Sequence, residues 1–180
     1  IYLLLRHRRH MGIYERALQD QGIPFISSKK GGLLESLEVQ DISCLLEILV
    51  LPFSNLAFAQ LLKSPIFDAD DDDLIMLASD RAATHWYERL QLIAEDDVER
   101  LSPALERAAM LLPRWQEYAD HLPVHDCLDR IFHEGDIIAR YKAATSADIR
   151  HRVAANCRLM LSLSLDVDSG RYPGITSFLQ

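Results

Sequence analysis

A basic cluster near the start of the chain holds the side chains best suited to binding chemistry. Residues 6–10 contain Arg6, Arg8 and Arg9 together with two histidines. The cluster follows an apolar run at residues 1–5 that predicts a buried strand. Ligands of open α/β sheets bind beyond the carboxyl ends of the strands, and arginine offers a phosphate two parallel hydrogen bonds. The cluster therefore suits a phosphate, although a solvated loop explains the same charges.

A pair of glycines, Gly31 and Gly32, follows two lysines and is a second possible phosphate contact through exposed backbone N–H groups. The full phosphate-binding patterns G-x-x-x-x-G-K-S/T and G-x-G-x-x-G do not occur in the sequence. Because short glycine patterns are weak signals, we interpret this pair as a turn. The sequence shows no nucleotide-hydrolysing centre of its own.

An acidic run at residues 68–73 resembles the beginning of a calcium-binding loop. Such a loop needs glycine at its sixth position and glutamate at its twelfth, where this sequence has Asp73 and Ser79. Carboxylates ahead of an apolar segment also cap a helix and favour its positive N-terminal end. We therefore predict a capping role and no metal site.

Histidines and cysteines give no recognisable metal or nucleophile pattern. His121 and His125 are four residues apart, but Pro123 lies between them and disturbs a helical pair. The three cysteines lack the local signature of a catalytic cysteine and are widely spaced: Cys44, Cys127 and Cys157. We predict surface histidines, packed cysteines, no catalytic residue and no metal.

Composition and charge restrict the class of protein. The chain has 180 residues, 49% hydrophobic and 26% charged, which is typical of an ordinary globular domain. It has no apolar run near the ~20 residues of a membrane span and no signal peptide, so we expect a cytoplasmic protein without membrane contact. The net charge of −8 argues against a free-standing nucleic-acid binder. Residues 1–30 nevertheless carry +4, whereas residues 31–180 carry 13 basic and 25 acidic side chains, a balance of −12.

The elements that position the basic cluster form a predicted strand–helix–strand unit. Apolar residues at helical spacing over 11–21 end at Gly22, and residues 23–27 predict a second short strand. Two strands make a poor sheet, so we expect most of that sheet to lie outside this chain. Because the chain opens directly on an apolar strand without methionine, we expect an excised piece of a longer protein.

The rest of the chain predicts helices, so the fold class is mostly α. Ser102 and Ser146 are predicted N-caps, Asn55 is another, and Pro113 is expected to kink or interrupt its helix. The predicted helices span residues 38–51, 56–63, 74–79, 103–112, 115–118, 124–134, 147–165 and the start of one at 175–180.

The order of these pieces resembles the C-terminal region of UvrD/Rep-type superfamily 1 DNA helicases, and most of all AddA/RecB-like helicase–exonuclease subunits. The resemblance is dense over residues 1–80 and thinner beyond them. The residues that carry it are LLLR at 3–6, YERAL at 14–18, GIPF at 22–25, GGLLE at 31–35, EVQD at 38–41, LLKSPIF at 61–67, AN at 155–156 and ITSFL at 175–179.

The resemblance implies that residues 1–30 belong to the second RecA-like motor domain and residues 31–180 to a helical subdomain inserted into it. It implies an ATP-dependent DNA helicase, with exonuclease activity in the same branch, that acts in double-strand break repair. ATP and Mg are then cofactors of the full-length protein, whose nucleotide motifs lie outside this fragment. The fragment alone is expected to be inactive, and the implied partners are DNA and a second nuclease/helicase subunit.

The resemblance also assigns roles to individual residues. Arg6 matches an arginine beside the single-strand DNA track, and Arg8 stands where many relatives have a polar residue near the same strand. Glu38 and Asp41 match an acidic pair that helps to hold a hinge after the glycine turn, without a catalytic role. The turn and hinge residues are Gly31, Gly32, Glu38 and Asp41.

Two other classes of function fit the residues alone. One is a helical protein-interaction module with no role on DNA. The other is a small cytoplasmic enzyme that uses histidine and aspartate, for which the sequence offers no constellation of catalytic residues.

Overall fold

The computed structural model describes residues 10–21, 33, 36–79, 83–166 and 175–178. The chain divides into two compact units, Ile1–Glu35 and Ser36–Gln180. Within the described ranges every regular element is helical, which confirms the prediction of a mostly α fold. None of the described helices is both long enough and apolar enough to cross a membrane.

The first unit contains the predicted N-terminal helix. Helix α1 spans Met11–Asp20, and its last turn closes where the Gln21 N–H donates to the Ala17 carbonyl at 3.2 Å. The predicted strands at 1–5 and 23–27 lie outside the described residues, so the strand–helix–strand unit is represented in the structure by its helix alone.

The second unit is a bundle of helices in which α2 packs against α3, α6, α9 and α10. The predicted apolar stripe of α2 is confirmed, because Val39, Ile42 and Leu46 are fully buried. The helices span Leu37–Val50 (α2), Asn55–Lys63 (α3), Asp71–Ser79 (α4), Trp86–Asp96 (α5), Pro103–His121 (α6), Val124–Glu134 (α7), Ile137–Ala144 (α8), Arg150–Asp166 (α9) and Ile175–Phe178 (α10).

Helix α6 confirms one local prediction and corrects another. The Ser102 hydroxyl accepts the Leu105 N–H at 3.2 Å, as expected of an N-cap. Pro113, however, lies inside a continuous helix that runs to His121. A proline removes a single backbone hydrogen bond, and burial of Leu112 and Trp115 on either side of it holds the helix together.

Two predicted caps are wrong. Helix α3 is capped by Ser54, whose hydroxyl accepts the Ala57 N–H at 3.3 Å. Asn55 instead accepts the Trp86 N–H at 2.9 Å and so caps α5, whose own N-cap residue makes no side-chain cap. Ser146 does not cap α9 because its hydroxyl donates to Asp148, and α9 begins at Arg150 rather than at residue 147.

Helices α5 and α8 are not among the predicted elements, and α8 depends on a close approach at Gly135. A Cβ at Gly135 would lie 2.8 Å from the Ile131 carbonyl oxygen and 3.1 Å from the Trp115 ring. Only glycine therefore lets the α7–α8 turn pass over the fully buried Trp115 side chain.

Candidate functional site

A buried polar cluster lies where α2, α3, α8 and α9 meet. It consists of Glu38 and Asp41 on α2, Gln60 on α3, Tyr141 on α8 and Asn156 on α9. The two carboxylates are three residues apart, so they share one face of α2. Both side chains are buried, at 6% and 8% exposure.

Each carboxylate of the buried polar cluster accepts hydrogen bonds from distant parts of the chain. The Asn156 amide donates to Glu38 Oε1 at 2.6 Å. The Tyr141 hydroxyl donates to Asp41 Oδ2 at 2.8 Å, and the Gln60 amide donates to Asp41 Oδ1 at 3.3 Å. Two side chains at the start of α2 thus tie this helix to three others.

Burial sets the protonation behaviour of the cluster. Desolvation raises the pKa of Asp41, and the Glu38 charge adds to this, while the hydrogen bonds from Tyr141 and Gln60 oppose it. Burial first, and then the charge of Asp41, raise the pKa of the Tyr141 hydroxyl, so that it remains a donor. Burial also raises the pKa of the neighbouring Cys157 thiol to about 12, with a further contribution from Glu38.

The donors to both carboxylates are neutral hydroxyl and amide groups. In the described part of the chain, no lysine, arginine or histidine lies within ion-pair distance of Glu38 or Asp41. Carboxylates that are shielded from solvent and already hydrogen-bonded are poor groups for acid–base catalysis on an external substrate. The cluster is instead suited to fixing four helices relative to one another.

The structure brings together only part of the set of predicted site residues. Glu38 and Asp41 share the cluster, whereas the predicted DNA-binding residues and the glycine turn lie outside the described residues: Arg6, Arg8, Gly31 and Gly32. Sequence reasoning missed Gln60 and Tyr141 as partners, and it placed Asn156 only on the inner side of a helix. The one signal in the sequence was a polar residue at a core-facing helical position, as Asn156 is beside Val153 and Cys157.

The acidic run caps helix α4, as predicted. Asp70 Oδ1 accepts the Asp73 N–H at 2.9 Å, and Asp73 Oδ2 accepts the Asp70 N–H at 3.1 Å. This reciprocal pair is a capping box built from two aspartates. Asp71 pairs with Lys63 at 2.7 Å on the surface. Within the described ranges, no group of three or more histidine, cysteine or acidic residues is arranged to hold a metal.

The histidines singled out by the sequence have separate structural roles. His121 Nδ1 lies 2.8 Å from the Glu117 carbonyl within α6, and His125 Nδ1 lies 3.1 Å from the Leu161 carbonyl of α9. Cys127 is buried, and this burial raises the pKa of its thiol to about 12. A thiol with such a pKa is a poor nucleophile at neutral pH, which agrees with a packing role.

Comparison with curated proteins gives matches of one class along the chain. Several A-type ATP-dependent helicase/nuclease subunits match it at identities from 21% to 26%. These matches confirm the resemblance recognised in the sequence and are consistent with a fragment of that family. No family model matches the chain.

Three of these relatives illustrate the extent of the match. The A-type ATP-dependent helicase/nuclease subunit of Bacillus licheniformis is 26% identical over 164 residues, which cover 90% of this chain and 13% of the relative. The corresponding proteins of Thermoanaerobacter sp. and Clostridium kluyveri are 23% and 25% identical over 179 and 190 residues, each covering 99% of this chain. The chain spans only about one seventh of the length of these two relatives, 14% and 15%.

Proposed function

We propose that this chain is part of an ATP-dependent DNA helicase/nuclease subunit that processes DNA double-strand breaks. The observation that carries the proposal is the match to A-type helicase/nuclease subunits over 90–99% of the chain. Chemistry resides elsewhere in such a protein, because this chain has no phosphate-binding loop and its buried carboxylates are hydrogen-bonded inside the bundle. ATP and Mg are cofactors of the full-length protein, and the isolated chain is inactive.

In this proposal the chain contributes two parts. Residues 1–30 supply two strands and helix α1 to the second RecA-like motor domain, and residues 31–180 form the inserted helical subdomain. Arg6 and Arg8 lie at the end of the first strand and contact phosphates of single-stranded DNA. Their guanidinium groups and the +4 balance of residues 1–30 support this role.

The buried polar cluster gives the helical subdomain a mechanical role. Glu38 and Asp41 lie within the first turns of α2, directly after the glycine turn at Gly31-Gly32. Their hydrogen bonds to α3, α8 and α9 stiffen α2 against the bundle. We therefore assign the hinge to the glycine turn, with the bundle moving as one unit during the motor cycle.

Salt-dependent binding of single-stranded DNA tests the proposed role of the basic cluster. In the full-length protein, Arg6→Ala and Arg8→Ala should each flatten the slope of log affinity against log salt by about 0.7 unit, as expected for one lost phosphate contact on a single strand. Arg114→Ala is the matched control, because Arg114 lies exposed on α6 in the acidic part of the chain. Unchanged slopes for both cluster variants would leave those arginines with a solubility role only.

A helical protein-interaction module is the second candidate. Exposed apolar side chains at the α2–α3 turn favour it, namely Leu51 at 55%, Phe53 at 62% and Leu56 at 82% exposure. The −12 balance of residues 31–180 also suits protein contact better than a grip on duplex DNA. Both features would equally serve contact with a partner nuclease/helicase subunit, so the DNA-binding measurement separates the two functions.

A further inference from the structure

An open cleft of about 320 Å³ lies between α4, α6 and α8, away from the buried polar cluster. Arg107 and Arg140 line one side of it, beside the N-terminus of α6 at Ser102 and Pro103. The N-terminal end of a helix carries a partial positive charge. Two guanidinium groups and one helix N-terminus therefore converge on the same space.

The two arginines are poorly satisfied by the protein itself. Arg107 Nη2 donates to the Gly135 carbonyl at 2.9 Å, while its buried Nε has no hydrogen-bond partner in the described part of the chain. Arg140 makes no side-chain hydrogen bond or ion pair with any described residue. Burial, and then the nearby Arg140 charge, lower the pKa of Arg107. Two like charges without a counter-anion are a destabilising arrangement that an anionic ligand would relieve.

The opposite side of the cleft is acidic. Asp68, Asp70 and Asp73 line it, and none of them lies within ion-pair distance of Arg107 or Arg140. Asp70 and Asp73 hold each other's backbone N–H groups at the start of α4, which partly balances their charge. Asp68 remains exposed, with a positive backbone φ of 63°. The cleft thus presents a cationic side and an anionic side.

We propose that this cleft binds a partner polypeptide segment in which an acidic side chain and a basic side chain are neighbours. The acidic side chain pairs with Arg107 and Arg140, and the basic side chain pairs with Asp68. A nucleic-acid backbone fits less well, because its repeated phosphates meet the three aspartates and the −12 balance of this part of the chain. The inference does not depend on the helicase assignment, since it uses only the charges that line the cleft.

Nitrogen-15 NMR titration of the 180-residue chain tests the proposal. The probe is N-acetyl-Glu-Lys-amide, with N-acetyl-Gln-Lys-amide as the ligand control and a short single-stranded DNA oligonucleotide as the competing class. Shifts should appear at cleft residues with the Glu-Lys probe and weaken about tenfold with the Gln-Lys peptide, because a charge-assisted hydrogen bond is lost.

Variants of the chain then assign the contacts. Arg140→Gln should weaken binding of the Glu-Lys probe about tenfold without loss of fold, since Arg140 supports no other described side chain. Asp68→Asn should weaken it severalfold, and asparagine tolerates the positive φ at this position. Arg114→Gln, which alters an exposed arginine on the same helix as Arg107, should bind as the unsubstituted chain does.

Three results would overturn the proposal. The first is equal binding of the Glu-Lys and Gln-Lys peptides, or no shift with either of them. The second is unaltered binding of the Glu-Lys probe by Arg140→Gln. The third is a stronger response of the same cleft residues to the oligonucleotide than to the peptide, which would make the cleft a phosphate site.

Discussion

Asp41 and Tyr141 show how one residue pair can hold a helical bundle together across 100 residues of sequence. The Tyr141 hydroxyl donates to a carboxylate that is 8% exposed, and no cation compensates that charge in the described ranges. A buried charge that loses one of its few hydrogen bonds is left with an uncompensated desolvation cost. The effect of removing the donor should therefore exceed that of an ordinary hydrogen bond.

Tyr141→Phe is expected to lower the free energy of unfolding by about 1–3 kcal/mol at neutral pH, the cost of leaving a buried acceptor unsatisfied. Urea denaturation measures it. Tyr87→Phe is the matched control, because the half-buried Tyr87 hydroxyl donates to a neutral amide oxygen of Gln116 at 2.6 Å. Its loss should be smaller, about 0.5–1.5 kcal/mol. Equal losses in the two variants would contradict a special role for the buried carboxylate.

Asp41 also predicts a pH dependence with a definite sign. Its pKa is raised in the folded chain, so the folded state binds a proton that the unfolded state releases in the range above pH 3.8. The contribution of Asp41 to stability is therefore lost as the pH rises through the folded pKa and is regained on acidification. In Asp41→Asn this dependence is absent. The stability of the unsubstituted chain relative to Asp41→Asn should therefore increase as the pH falls from about 7 toward about 4, and a constant difference would exclude the effect.

At the scale of elements, local capping signals were readable from the sequence. Ser102 caps α6, and the aspartate run caps α4, because a side chain can reach backbone N–H groups two or three residues away. Longer reach was not readable. Asn55 caps a helix 31 residues further on, and Tyr141 and Asn156 meet α2 from 100 and 118 residues away. No spacing rule encodes such contacts.

Helix continuity through Pro113 and the turn into α8 depend equally on packing. Burial around Trp115 overrides the tendency of proline to end a helix, and Gly135 permits the close approach of the next helix to that ring. The predicted site was similarly divided. Glu38 and Asp41 followed from resemblance, whereas their donors depend on the tertiary fold.

Gly135→Ala tests this close approach. The new Cβ would meet the Ile131 carbonyl at 2.8 Å, so the backbone must shift, and the expected loss is about 1–3 kcal/mol in the free energy of unfolding. Gly12→Ala in α1 is the control, because nothing lies within 4 Å of a Cβ there. Alanine should be neutral or stabilising by about 0.5–1 kcal/mol at this helical position. Thermal denaturation of the two variants would count against the packing account if their midpoints moved by the same amount.

At the scale of the whole molecule, charge distribution and sequence similarity lead to the same proposal. The −8 total combines +4 in residues 1–30 with −12 in residues 31–180. A motor part that contacts DNA and an acidic helical part that contacts protein would account for this division. The chain spans about one seventh of its relatives, so its activity belongs to a longer protein in this account.

Strand separation by the product of the complete reading frame that encodes these residues is the most direct measurement of this account. We expect ATP- and Mg-dependent unwinding of a duplex with a blunt or tailed end, and neither unwinding nor ATP hydrolysis from the 180-residue chain alone. A complete product that folds but neither hydrolyses ATP in the presence of DNA nor separates strands would contradict the proposed function.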